Sequence, residues 1–446
     1  MKPAGYLKIG AVVTLLFAVG LAAYDRGSVG DAQAFNDGTY DQIRLFSEAL
    51  SIVQKNYVEE PETPDLVRGA IKGMLQSLDP HSSFMDPDMY KEMQIDTQGE
   101  FQGIGITIGI RDDILTVIAP IDDTPAFRAG ILARDKIVMI GDKPTKDMTL
   151  MEAVKLMRGP KGTQVTISIV REGESEPLKF TLTRDVIPLF SVKTKDVDED
   201  VAYIRITNFQ KKTASEFEEA LKEVREEKGD SFKGLVLDLR NNPGGLLISA
   251  IEIADLFIES GPIVSTKGRI ENQDFSYNAK PQGTEPEYPL VVMVNGGSAS
   301  ASEIVAGALQ DYRKAIIIGT TTFGKGSVQT IYRLVDGSGM RVTTARYFTP
   351  NGRSIQATGI QPDIVVSNTE GKVAGHLTRE KDLTGHLENN QIEDDTTVPE
   401  ENDAAPIMHI IPEDTAQDAQ LQRAIDLLKG LDLFKDLKGV GTGESG

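Results

Sequence analysis

The chain has 446 residues, 40% of them hydrophobic and 26% charged, the profile of a soluble globular protein too long for one ordinary domain. It contains no cysteine, which excludes disulfides, thiolate metal sites and cysteine nucleophiles. A formal net charge of −20 repels nucleic acid and anionic membrane surfaces, so no nucleic-acid partner is expected.

Residues 1–26 carry Lys2 and Lys8, then an apolar run from Ile9 to Ala23 with small residues near its end. That pattern predicts a signal peptide or an uncleaved membrane anchor. The rest of the chain is then exported, to the periplasm or the outer face of the cytoplasmic membrane. Over 36–97, Ile43, Phe46, Leu50, Ile52 and Val53 fall near helical spacing, and a helical region is expected. "LDPHSSFMDPDMY" breaks it with two prolines, and His81 in that break reads as a structural loop residue. From 98 to 187, short β-branched runs such as "GIGITIGI" and "QVTISIVR" alternate with turns and two helices, predicting a compact β-rich module. Residues 188–366 alternate strands ("GLVLDLR", "LVVMVN", "AIIIG") with helices, the mark of an α/β core around a largely buried sheet. Residues 367–446 read as an acidic linker followed by a C-terminal helix.

Chemistry concentrates in the α/β stretch. Four histidines (His81, His376, His386 and His409) are too few and too scattered for a zinc site, and no metal or cofactor is expected. "VNGGSASASEI" places Ser298, Ser300 and Ser302 where an apolar strand runs into a helix. A side chain there projects from the sheet edge beside unpaired backbone N–H groups, which suits a nucleophile with an oxyanion site. The local string alone favours a plainer role, because Ser300 and Glu303 have the S-x-x-E spacing of a capping box. Lys325 shifts that balance. It lies between two glycines after the apolar strand of "AIIIGTTTFGKGS". A lysine acts as general base only if its pKa falls from about 10.4 towards 7–8, a cost of about 4 kcal/mol that desolvation can supply. Ser-Lys chemistry needs no histidine. The glycines of "LDLRNNPGG" permit close backbone approach and present N–H donors.

Taken together, "LDPHSSFM", "GIGI", "RGPKGT", "LDLRNNPGG", "SASASEI", "TFGKGSVQ" and "GIQPDIVV" make the chain resemble the carboxyl-terminal processing proteases. These are PDZ-containing serine endopeptidases of the tail-specific group, and the likeness runs from about Tyr40 to Val366. The resemblance implies a crotonase-like or Clp-protease-like ββα spiral core with an inserted PDZ domain. It implies Ser300 as nucleophile, Lys325 as base 25 residues on, and Gln329 as the residue that orients the lysine. Ala301 and either Gly244 or Gly245 match the oxyanion donors, and Asp311 a position that supports activity in some members. Gln102, Gly103, Ile104, Gly105 and Ile106 fall at the PDZ carboxylate loop, which implies recognition of hydrophobic substrate C-termini by strand addition and gating of the active site. Arg158 matches a position coupling PDZ domain and core, beside the plainer reading of a surface arginine at a helix end. Further implied are a homodimer or higher oligomer and a helical-repeat adaptor protein in some relatives. Two other classes stay open: a catalytically silent PDZ scaffold that binds C-termini, and a crotonase-type acyl-CoA enzyme. The complete Ser300, Lys325 and Gln329 set argues against the first, the export signal and PDZ module against the second.

Overall fold

A computed structural model describes residues 37–111, 113–270, 273–367, 378–389, 391, 411–412 and 414–440. The expected signal or anchor at 1–26, His376, His409 and the acidic stretch 392–403 lie outside the described residues. Among the described residues no helix is long and apolar enough to cross a membrane.

The chain divides into two units, Met1–Gly73 and Met74–Gly446. The first carries α1 (Asp37–Asn56) and most of α2 (Thr63–Gln76). Tyr40, Ile43, Phe46, Ile52 and Val53 of α1 are exposed in the single chain.

The second unit begins with β1 (Ser83–Met85), α3 (Pro87–Gln98) and β2 (Glu100–Gly103). Asp86 caps α3 by accepting the Met89 N–H, and Gly99 ends it at φ +73°, the left-handed turn that glycine allows without strain. The β-rich module follows with β3 (Ile106–Arg111), β4 (Ile114–Pro120), α4 (Pro125–Arg128), β5 (Lys136–Ile140), β6 (Lys143–Pro144), α5 (Leu150–Met157), β7 (Gln164–Val170) and β8 (Leu178–Thr183). Its sheet runs β3-β4-β5-β7-β8, with β6 on β5. Ile104, Val117, Ile137, Ile167 and Ile169 fill its core. At one edge, β3 pairs only with β4 among the described strands, and α5 packs against it. β9 (Asp185–Pro188) pairs with β2 and closes the module.

The core strands are β10 (Val192–Thr194), β11 (Val201–Ile206), β12 (Gly234–Asp238), β13 (Pro262–Gly268), β14 (Phe275–Asn278), β15 (Leu290–Val294), β16 (Ile316–Gly319), β17 (Ser327–Arg333), β18 (Gly339–Phe348) and β19 (Ile364–Val365). Its helices are α6 (Thr213–Lys228), α7 (Leu247–Asp255), α8 (Ala301–Asp311) and α9 (Ala419–Val440). One sheet has the order β10-β11-β12-β15-β16-β19 and is parallel except at β10. Every residue of β12 and β15 is buried, as a sheet covered on both faces requires. On one face α6, α7 and α8 contribute Phe217, Leu221, Ile253, Ile304 and Val305 to the main core. A second sheet, β1-β18-β13-β14 with β17 on β18, carries the chain from β16 back towards the site.

The other face of the parallel sheet is covered by the end of the chain. The expected C-terminal helix is built into the core. Leu421, Ala424, Ile425 and Leu428 of α9 pack on Val201, Val236, Val291 and Met293. A buried ion cluster fastens the same helix: Arg240 (1% exposed) pairs with Asp238 at 2.8 Å and with Asp418 at 2.7 Å. Residues 378–389 also dock, through Arg379 to the Thr358 carbonyl and Asn389 to the Gln356 carbonyl. Composition gives no sign of this docking, because few side chains carry the contact and they are spaced by tertiary geometry.

Candidate active site

The three alternating serines divide their work. Ser298, fully buried, donates to the Leu239 carbonyl at 2.7 Å and accepts the Asn295 N–H. Ser302, also fully buried, donates to the Asn242 carbonyl at 2.9 Å. Both therefore pin the β15–α8 junction to the "LDLRNNPGG" loop. Ser300 lies between them at φ 56°, ψ −112°, a region costing a non-glycine residue about 1–3 kcal/mol. A strained residue pinned on both sides is held there by its surroundings.

The helix start carries the capping box that spacing marked, and its glutamate does more than cap. Glu303 Oε2 accepts the Ser300 N–H at 2.7 Å, while the Glu303 N–H turns to the Ser300 carbonyl at 2.9 Å. The same Oε2 accepts the Lys325 N–H at 2.9 Å, and Oε1 accepts from the Gly324 N–H at 2.8 Å and the Thr322 hydroxyl at 2.5 Å. One buried carboxylate thus joins the serine turn to the lysine turn. Burial pushes the Glu303 carboxyl up to about 7, against the pull of those hydrogen bonds.

Lys325 is largely buried, and desolvation is the main reason its pKa lies below the ordinary lysine value; the Arg341 charge adds to the depression, whereas Glu380, Glu303 and Asp79 oppose it. The buried Tyr347 lies at the same place, with its hydroxyl donating to the Lys325 carbonyl. Burial first, then the Glu303 charge, holds that phenol well above its usual range, and the Ser300 hydroxyl counters them. Tyr347 therefore stays neutral at ordinary pH and cannot compete as a base.

Next to Ser300 the glycine pair resolves into two roles. A Cβ on Gly244 (φ +101°) would stand 2.8 Å from the Ala299 oxygen, 2.9 Å from the Ala301 nitrogen and 2.9 Å from Ser300 Cβ. Gly244 is the point of close approach, but its N–H already donates to Asn242 Oδ1 at 2.9 Å. The N–H groups of Gly245 and Ala301 have no backbone acceptor among the described residues. They are the amides free to meet a developing oxyanion. Replacing Gly244 by alanine is expected to push the Ser300 turn aside and to lower kcat about 10²-fold or more by displacing the oxyanion amides. Steady-state kinetics on the purified variant checks this, and an unchanged kcat would separate the loop from catalysis.

The remaining expected residues scatter. Gln329 Nε2 donates to Ser327 Oγ at 2.9 Å and Thr343 Oγ1 at 3.4 Å. Asp311 ends α8 at the opposite terminus from Ser300, about 15 Å away along an eleven-residue helix. It accepts from the Asn351 N–H and Arg353, so it stands apart from the oxyanion cluster and shapes the turn after β18. Gln102 and Gly103 belong to β2, with the Gln102 side chain accepting the Lys161 N–H at 3.0 Å. Ile104 is buried in the module core. At Gly105 (φ +78°) a Cβ would meet Thr124 at 2.2 Å, so only glycine fits before Ile106 opens β3. Arg158 is not brought to Ser300 or Lys325. It pairs with Glu92 of α3 at 2.5 Å and stacks 4.9 Å over the Phe101 ring.

Sequence spacing pointed to Glu303 only as a cap. Tyr347, Gln356 and Glu380 gave no signal, because nothing local marks a side chain whose partner is far away in the chain.

Residues 200–366 match Peptidase family S41, 116–171 a PDZ domain, and 15–89 the Activating protease CtpB N-terminal domain. The chain is 45% identical to the carboxy-terminal-processing protease of Bartonella bacilliformis over 88% of its own length and 89% of that protein. The chain belongs to the carboxy-terminal-processing proteases. It is also 40% identical to the carboxyl-terminal-processing protease of Synechocystis sp., over 75% of this chain and 78% of that one. Against the solved photosystem II D1 C-terminal processing protease the TM-score is 0.42 at 30% identity, covering 72% of this chain and 92% of the other. As a carboxy-terminal-processing protease with a PDZ domain, the chain is a serine-type peptidase with an α/β core.

Proposed function

We propose that this peptidase cuts exported protein substrates near their C-termini through an acyl-enzyme on Ser300. Lys325 takes the serine proton as the hydroxyl attacks the scissile carbonyl and returns it to the leaving amine. The tetrahedral oxyanion is received by the amides of Ala301 and Gly245, and Gln329 helps to hold the lysine. The observation that carries this reading is the single carboxylate oxygen of Glu303 shared by the amides of Ser300 and Lys325, 2.7 and 2.9 Å away. It fixes a nucleophile turn and a desolvated lysine side by side with no histidine between them.

Substrate choice is assigned to the PDZ domain. The outer edge of β3, open beside α5, supports addition of a C-terminal strand whose carboxylate sits at Gly103–Ile106. Gating of the active site by this domain, with Arg158 and Glu92 as the link, belongs to the same proposal, as do export to the periplasm or the outer face of the cytoplasmic membrane, self-association and a helical-repeat adaptor. The test is cleavage of a loosely folded protein by wild type, Ser300→Ala and Lys325→Ala, with product masses followed. Folded variants that cannot cut support the Ser-Lys route; equal rates in all three would leave only a C-terminus-binding scaffold.

Recognition has its own check. A peptide ending in apolar residues with a free carboxylate is expected to bind about 10-fold or more tighter than its C-terminal amide, since charge-assisted hydrogen bonds to the carboxylate are lost. Calorimetric titration of the full chain measures it. Equal affinities would move the recognition away from the carboxylate loop.

A further inference from the structure

The turn bearing Lys325 has three successive amides held by buried side-chain acceptors. Glu303 takes those of Gly324 and Lys325, and Gln356 Oε1 takes that of Gly326 at 2.9 Å. Gln356 is fully buried, and a side-chain amide can present either end. Its orientation is decided by Glu380, whose Oε1 accepts from Gln356 Nε2 at 2.8 Å. Glu380 is also fully buried; its N–H reaches the Phe323 carbonyl, and its Oε2 lies 2.7 Å from His81 Nε2. A continuous chain of contacts therefore runs from His81 through Glu380 and Gln356 to the residue after the lysine.

The "LDPHSS" loop reaches this region by a second route. Asp79 accepts the His81 and Ser82 N–H groups, the Ser82 hydroxyl and the Thr343 hydroxyl. Thr343 in turn accepts from Gln329. The loop and the docked segment 378–389 thus converge behind Lys325 and Gln329, although the first lies far upstream of them and the second downstream of β19.

We infer that His81 and Glu380 are positioning residues for the base: they orient Gln356, which fixes the turn of Lys325, and Glu380 sets a negative charge behind the lysine. This rests on the Ser-Lys reading above. The charged groups facing Lys325 are Arg341, Glu380, Glu303 and Asp79. Burial lowers the lysine pKa most and Arg341 lowers it further, while Glu380, Glu303 and Asp79 pull it back up. Removing the Glu380 charge therefore makes Lys325 lose its proton more readily. A tether that merely held segment 378–389 in place would leave that proton alone.

The experiment follows kcat/KM against pH for the full-length wild type, Glu380→Gln, His81→Ala, His81→Gln and Lys325→Ala, with phosphonylation of Ser300 by a fluorophosphonate as a second readout. Glu380→Gln is expected to lower kcat/KM about 10-fold through a displaced base and to move the acid limb to lower pH. His81→Ala is expected to lower kcat by a similar factor with KM unchanged, and His81→Gln, whose amide reaches where Nε2 sits, to restore most of it. Loss of rate at every pH with the acid limb unmoved, or wild-type rates in both variants, overturns the inference. Should Glu380→Gln melt below the assay temperature, the His81 pair carries the test alone, because His81 is 14% exposed at the outer end of the chain; there, a rise in KM or no rescue by glutamine overturns it. A Lys325→Ala variant that still cuts would instead refute the Ser-Lys reading itself, and that result is read separately.

Discussion

Lys325→Ala is expected to lower kcat/KM by about 10⁴-fold or more, close to the loss in Ser300→Ala, because on the proposed Ser-Lys route the two act as one unit. The physical reason is that Ser300 ionises far too weakly at neutral pH to attack without a base, and the nearby alternatives are closed. Glu303 has both carboxylate oxygens committed to four donors. Tyr347 is kept protonated by burial and by the Glu303 charge. His81 is spent on Glu380. The wild-type rate should rise with pH as Lys325 loses its proton, with a midpoint below the ordinary lysine value because desolvation disfavours the ammonium. Kinetics from acid to alkaline pH, on variants shown to be folded, checks both parts. A surviving acid limb in Lys325→Ala would assign it to another group.

The second large effect falls on stability, through the C-terminal helix. Asp418→Ala is expected to cost about 3 kcal/mol, the lower end of the range for breaking a buried ion pair, since Asp238 still faces Arg240. Asp418 also accepts the Leu421 N–H at the start of α9, so Asp418→Asn keeps the cap and should fall between the two. Ending the chain at Gln417 is expected to be far worse. It uncovers Val201, Val236, Val291 and Met293 and gives up buried Leu421, Ile425 and Leu428, each worth about 2 kcal/mol. Such a chain should not fold cooperatively. Urea denaturation measures the first two, and a truncated chain with a normal unfolding transition would contradict the packing assigned to α9. Arg240 directly precedes the Asn-Asn-Pro-Gly-Gly loop, so loss of Asp418 should also lower kcat in the protein that remains folded.

The sequence by itself determined the α/β alternation, the β-rich module and the identities of the residues at the strand-to-helix junctions. Those are local properties: apolar runs, glycine turns and a serine at a helix start are written within a few residues of one another. It also marked Ser300 and Lys325 as a pair, since the absence of cysteine and the scarcity of histidine leave few routes for nucleophilic chemistry. It left Gly244 and Gly245 equivalent; the structure distinguishes them by a single hydrogen bond, Gly244 N–H to Asn242 Oδ1, which no spacing rule foresees.

Only the tertiary structure showed that Ser298 and Ser302 are fasteners, that Glu303 holds the lysine turn as well as its own helix end, and that Asp311 accepts from Arg353. It alone joined Asp418 to Arg240, and His81 to Glu380, across 178 and 299 positions of the chain. The reason is physical. A buried charge must find its partner wherever the fold delivers one, and a lone acid in a polar stretch looks the same in sequence whether it ends in water or against an arginine.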